Sequence, residues 1–275
     1  MIAILGAGEL GGAIAERLMI AGRVGHVRLV DEAAGVATGK ALDIAQAGSV
    51  VRSDVRLTAA SDPLAASTAD VVVIADAVEG GEFLDERGIA LVETLVRSGS
   101  SAAFVFAGPN QTSLLELAAS RLGVGGDRLV GTAASAVAGT VRSLTAAEVD
   151  GSGVDVSVAL AGRPPQLVVA WSAATIAGAP AAERIPAHRL LAISATATRL
   201  WPPGPAAIAA ATAPVAAALA GRSRRRYQAM AMAEVDGRPK PYATMQSLVL
   251  GHGRILRREA PVLTPAERIH ASSAD

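Results

Sequence analysis

Apolar residues in the first 133 positions fall into short solid runs divided by longer stretches in which they recur every three or four residues. The runs are MIAIL (1–5), VRLVD (27–31), VRLTAA (55–60), DVVVIA (70–75), AAFVFAG (102–108) and RLVGTA (128–133). Each is short, bounded by Gly, Asp or Ser, and rich in β-branched or aromatic residues, which predicts buried strands. Between them, Gly11–Ala21, GKALDIAQA (39–47), EFLDERGIALVETLVRSG (82–99) and SLLELAASRLGV (113–124) have helical spacing. Strands alternating with helices predict βαβ units and a doubly wound parallel sheet. Past about Val141 the pattern changes. VDVSVALAG (154–162) and LVVAWSA (167–173) are β-like or mixed, Ala187–Leu200 and Pro205–Leu219 are helical, and YQAMAMAEV and MQSLVLG predict two antiparallel strands around DGRPKP (236–241). The expected fold class is therefore α/β: a doubly wound parallel sheet over residues 1–140, then a smaller mixed α+β domain over 141–275, with the change falling within 132–145.

Composition adds a constraint on packing. Hydrophobic residues make up 51% of the 275 positions, yet aromatics make up only 3%. The core must be built of Ala, Val, Leu and Ile, which suits helices packed closely on a sheet. Lys plus Arg and Asp plus Glu are both 25, so no net charge points to a nucleic acid. Cysteine is absent, which removes disulfides, thiolate chemistry and Cys-based metal sites and fits a reducing cytoplasm. No basic n-region precedes MIAILGAG, so no signal peptide is expected. The Ala206–Ala220 run falls short of the ~20 residues needed to cross a bilayer and contains Pro214, so a buried helix is expected rather than a membrane span. Arg222–Arg226 (RSRRR) reads as a helix C-terminal cap or a solvated face.

The motif with chemical content is Gly6-Ala7-Gly8-Glu9-Leu10-Gly11, set between a strand and a helix. In that context Gly6 permits a tight turn, Gly8 lets backbone approach a pyrophosphate, and Gly11 lets helix and strand pack closely, with the helix N-terminus facing the anion. Asp31 ends the second strand about 20 residues on, where a carboxylate can bind ribose hydroxyls. Asp31 with Glu32 beside it repels a 2′-phosphate, so NAD is expected over NADP. The cofactor-binding set is thus Gly6, Gly8, Glu9, Leu10, Gly11 and Asp31, on a Rossmann-type domain.

GAGELGGAIAERL, VDEAAGVATGKALDIAQA, ADVVVIADA, AFVFAGPNQTSLLELAASRLG, RLVGTA, WSAATIAGAP and YATMQSLVLGHGRILRREAPVLTPAER together resemble the L-lactate/malate dehydrogenase family over essentially the whole chain. The resemblance implies NAD(H), a small-molecule substrate and a homodimer or homotetramer. It also exposes departures. Where the family has a Gly-His-Gly-Asp turn carrying its acid/base, this chain has Gly162-Arg163-Pro164-Pro165. Val137 stands at the orienting aspartate and Thr140 at the substrate-binding arginine. The loop ADAVEGGEFLDERG (75–88) is short, with no arginine before Arg87, and Gly108-Pro109 replaces an Asn-Pro pair. Arginine, with a pKa above ~12, is a poor proton donor, and Thr140 cannot clamp a carboxylate bidentately.

No substitute stands out. His26 precedes the second strand, His252 lies in a hairpin turn and His270 in the tail. His188 is the least implausible replacement, and Arg163 is a candidate anion ligand. Tyr227 and Tyr242 read as β-face packing. Neither a carboxylate pair nor metal-ligand spacing is evident. The favoured expectation is an NAD-binding paralogue without the standard 2-hydroxy acid reaction, a pseudoenzyme whose catalytic residues are unassigned. The alternatives are an NAD-dependent oxidoreductase with altered substrate and proton transfer, and a structural protein that has lost the ligand.

Overall fold

The computed structural model describes residues 1–233 and 242–272. Its first half runs β1 (Ile2–Leu5), α1 (Glu9–Ala21), β2 (His26–Val30), α2 (Ala34–Val50), β3 (Arg56–Ala60), β4 (Val71–Ile74), β5 (Asp76–Ala77), β6 (Gly81–Glu82), α3 (Asp85–Arg97), β7 (Ala103–Phe106), α4 (Thr112–Ser120), β8 (Leu129–Gly131) and α5 (Ala133–Glu148). The second half runs β9 (Val156–Ser157), β10 (Leu160–Arg163), β11 (Gln166–Val169), β12 (Thr175–Ile176), β13 (Ala179–Pro180), α6 (Ala181–Arg184), α7 (Ala187–Arg199), α8 (Pro205–Ala220), β14 (Arg222–Met232), β15 (Ala243–Gly251), β16 (Arg254–Glu259) and α9 (Pro265–Ser272).

The main sheet has the order β16-β15-β14-β8-β7-β4-β1-β2-β3. The six strands from β3 to β8 are parallel. Strand order reverses between β1 and β4, and that is the point where an open α/β sheet offers a crevice at its carboxyl ends. β1, β4 and β7 are buried at every position. Their alternating side chains feed two separate cores. Ala3, Leu5, Val72, Ile74, Phe104 and Phe106 enter one, while Ile2, Ile4, Val71, Val73 and Val105 enter the other. Burial on both faces is why these strands are solid apolar runs rather than alternating ones.

The predicted strands and helices of the first half are present, with one change. The helix expected from residue 82 begins only at Asp85, because Gly81–Glu82 pairs antiparallel with Asp76–Ala77 in a small hairpin. In the second half VDVSVALAG divides into β9 and the start of β10, and in LVVAWSA only residues 167–169 are extended. β14 and β15 are antiparallel as expected, but they extend the same sheet as the parallel strands, since β14 pairs with β8 at Met230 and Gly131. The division drawn at residue 140 falls inside α5. Arg222, Arg224, Arg225 and Arg226 lie on β14 rather than capping a helix, and all four are exposed. α8 covers Ala206–Ala220 and buries Ile208, Ala213, Val215 and Leu219 despite Pro214. No described helix is long and apolar enough to cross a membrane. The segment DGRPKP lies outside the described residues.

Phe104 is fully buried at the centre of the sheet, with the Arg128 guanidinium 5.9 Å from its ring centre. Phe104→Ala is expected to lower the unfolding free energy by about 3–5 kcal/mol, read from the midpoint of a urea titration.

Candidate functional site

The glycine loop sits at the carboxyl end of β1, beside the reversal point. Gly6 has φ +99° and donates its N–H to Val30 O at 2.8 Å. A Cβ on Gly11 would stand 2.0 Å from Gly6 O, so α1 can start this close to β1 only without a side chain there. Leu10 is buried and Glu9 exposed. Lys40, from α2, donates to Ala7 O and Gly8 O at 2.7 Å each and pins the loop from the other side.

Asp31 is only 6% exposed. Its Oδ2 accepts from the N–H groups of Ala7 (2.8 Å) and Val78 (2.9 Å), and its Oδ1 from that of Ala33 (2.9 Å). A carboxylate has about four acceptor positions, so roughly one is left for a ligand. Asp31 therefore ties the glycine loop to the β5–β6 hairpin as well as facing a cavity. That cavity holds about 170 Å³ of space for the centres of water-sized molecules and is lined by Leu5, Val30, Asp31, Pro63, Phe83 and Leu91 among others. The Arg87 guanidinium lies 4.8 Å from the Phe83 ring centre on the same wall.

Asp76 was not anticipated. It follows β4 by two residues, and its carboxylate accepts from Gly11 N at 2.8 Å and Leu10 N at 3.2 Å, while its main-chain oxygen accepts from Gly8 N at 2.8 Å. Directly across the hairpin from it, Glu82 accepts from Asn110 N (2.8 Å) and Asn110 Nδ2 (2.9 Å). Burial pushes the Glu82 carboxyl above its usual range; the Asn110 bonds oppose this and the nearby Asp76 adds to it. Gln111, also unanticipated, accepts from Gly108 N and donates to Ala75 O and Phe83 O. Asp76 carried a faint signal in the sequence, as a charge directly after an apolar run; Gln111 carried none.

The cleft at the carboxyl ends of β7 and β8 is lined by Phe106, Pro109, Thr132, Pro164, Trp201 and Met230 among others, and no titratable side chain lines it. Its space for water centres is about 10 Å³, room for roughly one water. Thr132 and Thr212 hydroxyls meet at 2.7 Å, and since Thr212 donates to Ile208 O, Thr132 is the donor between them. Gly108 and Pro164 reach this cleft, but Val137 is buried in the core and Thr140 lines a separate groove between α5 and α8. Arg163 is turned to Glu116, 3.1 Å away, whose same oxygen also accepts from Ala243 N. His188 is exposed in the first turn of α7, and His252 and His270 are exposed in the β15–β16 turn and α9. His26 shares a 2.8 Å hydrogen bond with the Thr58 hydroxyl; burial, then Arg28 and Arg56, push its pKa below the usual histidine value. None of the four histidines lines either cavity.

No family model matches the chain. Among curated proteins, a malate dehydrogenase of Methylobacterium radiotolerans is 34% identical over 191 residues, 65% of this chain and 59% of that protein. A malate dehydrogenase of Chlorobium phaeobacteroides is 24% identical over 70% of this chain and 65% of its own length. In both cases less than two thirds of the relative is spanned. Among solved structures, malate dehydrogenase from Aeropyrum pernix superposes with a TM-score of 0.86 at 19% identity, covering 100% of this chain and 95% of the other. A lactate dehydrogenase from Cryptosporidium parvum, complexed with lactic acid and NAD, gives 0.88 at 20% identity over 99% and 93%.

Over its whole length the chain has the fold of these malate and lactate dehydrogenase structures, a Rossmann-type sheet with a C-terminal α+β part, and over 65% of its length its sequence is similar to that of a malate dehydrogenase.

The Cryptosporidium parvum lactate dehydrogenase is complexed with NAD, which allows a test of fit against this chain's residues. The cavity beside Asp31 offers a carboxylate acceptor next to apolar walls, the chemistry a ribose and a flat ring would need. The N–H groups that would face a pyrophosphate are already bonded to Asp76. The cleft at β7 and β8 is narrow and offers no titratable side chain to a ligand.

Asp31→Ala is expected to destabilise the protein by about 3 kcal/mol or more without any ligand, because three N–H groups lose a charged acceptor. A purely ribose-binding aspartate would leave unliganded stability unchanged. Thermal and urea unfolding of the two proteins separates these outcomes.

Proposed function

We propose that this chain is a ligand-binding member of the family that takes NAD(H) through its adenosine end and does not carry out the standard 2-hydroxy acid reaction. The observation that carries the proposal is the contrast between its two cavities. One retains a carboxylate at the end of β2 beside an open pocket with both apolar walls (Leu5, Val30, Phe83, Leu91) and charged ones (Glu32, Glu79, Arg87). The other is small and apolar, with no group able to give or take a proton. Of the expected contacts Gly6, Gly8, Glu9, Leu10, Gly11 and Asp31, it is Asp31 that faces the open cavity and offers its remaining acceptor position to a ribose hydroxyl, while the N–H groups of Gly8, Leu10 and Gly11 are held by Asp76. The only arginine of the Gly162-Arg163-Pro164-Pro165 turn is paired with Glu116, which leaves it poorly placed as an anion ligand.

A homo-oligomer is part of the reading. Ile20 on α1 and Leu42 on α2 are more than half exposed, and apolar faces of neighbouring helices suit burial between subunits. A dimer or tetramer mass by light scattering is expected, and a strict monomer at micromolar concentration would contradict it. The cysteine-free composition suits a cytoplasmic setting.

Two measurements test the function. Calorimetry is expected to show NAD or NADH binding at least about tenfold more tightly than NADP, because Asp31 and Glu32 both oppose a 2′-phosphate. Steady-state NADH oxidation with pyruvate, oxaloacetate and longer 2-keto acids is expected to stay at trace level in the wild type and in Arg163→His. An imidazole at 163 would lack an orienting carboxylate, since Val137 is in the core, and loss of such a partner costs several powers of ten. Ordinary dehydrogenase turnover with any of these substrates would overturn the reading.

A further inference from the structure

We propose that Asp76 is the specificity determinant of the nucleotide site: its carboxylate holds the anion position of the glycine loop, so the site discriminates against a phosphate there and favours the nucleoside part of a ligand. This rests on the nucleotide-site reading above and deepens it. The start of a helix presents N–H groups that intrahelical bonding cannot satisfy, and together with the helix dipole they attract an anion. Here the anion is the chain's own. Asp76 Oδ1 and Oδ2 take the Gly11 and Leu10 N–H groups, and Asp76 O takes that of Gly8.

The glycines have the shape this requires. A Cβ on Gly8 would sit 2.4 Å from the Asp76 carboxyl carbon, and one on Gly6 would sit 2.2 Å from Asp76 O. The space that Gly8 opens is filled by a side chain from β5. Nor is Asp76 a loose side chain that a ligand could brush aside. Its strand is anchored on one side by Ala75 N to Leu5 O and Val78 N to Asp31, and on the other by Gln111 and by Glu82 on Asn110. The surroundings also disfavour a second anion. Asp31, Asp76 and Glu82 are carboxylates around the loop, and the nearby Lys40 ammonium is committed to the carbonyls of Ala7 and Gly8. A phosphate entering beside these groups meets like charge at close range. The cavity beside Asp31 lies to one side of this obstruction and remains open to a ribose and an apolar ring.

The test uses the full chain, with inorganic pyrophosphate as the probe of the loop and adenosine and NAD as probes of the whole site. Thermal unfolding is followed in millimolar pyrophosphate against sodium chloride of equal ionic strength. The wild type is expected to show no specific shift, while Asp76→Ala gains roughly 3 °C or more from pyrophosphate. Asp76→Asn keeps one acceptor oxygen, for Gly11 or Leu10, and loses the charge, so it serves if the alanine variant folds poorly, and it is expected to respond in the same direction. In calorimetry NAD is expected to bind the wild type no more tightly than adenosine. In Asp76→Ala NAD should gain at least about tenfold while adenosine changes less than about threefold. Equal pyrophosphate shifts in wild type and variants, or no shift in any of them, overturn the proposal. Failure of adenosine and NAD to bind any form, with the pyrophosphate shift confined to the variants, overturns the nucleotide reading and leaves the assignment of Asp76 standing.

Discussion

The first turn of α1 holds backbone N–H groups that need an acceptor, and much of the N-terminal half is arranged around the way that need is met. Asp76 supplies three of the bonds from one residue. To reach them it must follow β4 directly, β4 must lie beside β1 in parallel register, and Gly6, Gly8 and Gly11 must lack side chains. Asp31 then joins the same assembly from the end of β2, so that β1, β2 and β4, the strands around the reversal point, are linked through two carboxylates at their carboxyl ends. In a dinucleotide-binding member of such a fold, part of this linkage would be supplied by the ligand. Here the chain supplies it.

The two cavities differ for different physical reasons. Beside Asp31, polar groups are paired but the cavity is open. At the β7–β8 end, the cavity has closed over apolar side chains and over two threonines bonded to each other. An apolar pocket of that size gains nothing by admitting a charged substrate, since the charge would lose its hydration with nothing to replace it. The Arg163–Glu116 pair points the same way: a guanidinium facing the substrate would need an anion there, and this one already has its anion in α4.

The parallel half of the fold was legible because β1, β4 and β7 are buried on both faces and so read as uninterrupted apolar runs. The second half was less so. β14 is long and carries four exposed arginines at its start, which read as a cap or a solvated face; the second holds, and nothing local reveals that the strand adds to the edge of β8. The β5–β6 hairpin escaped notice because two-residue strands have no periodicity. The placement of the glycines after β1 and of Asp31 after β2 was legible from spacing, but the pairing of Asp31 with Ala7 and Val78 was not. The contact of Asp76 with Gly11 joins residues 65 apart in sequence, and only the strand order brings them together. Glu116 was invisible as a partner for Arg163 for the same reason.

A loop that contains its own counter-charge reaches its final shape without waiting for any small molecule. Proteins whose binding loops are completed by a cofactor tend to be looser, and more readily degraded, when that cofactor is scarce. With Asp76 seated on α1, the first turn of that helix has its acceptors whether or not a dinucleotide is present, so the loop keeps its shape when the supply is low.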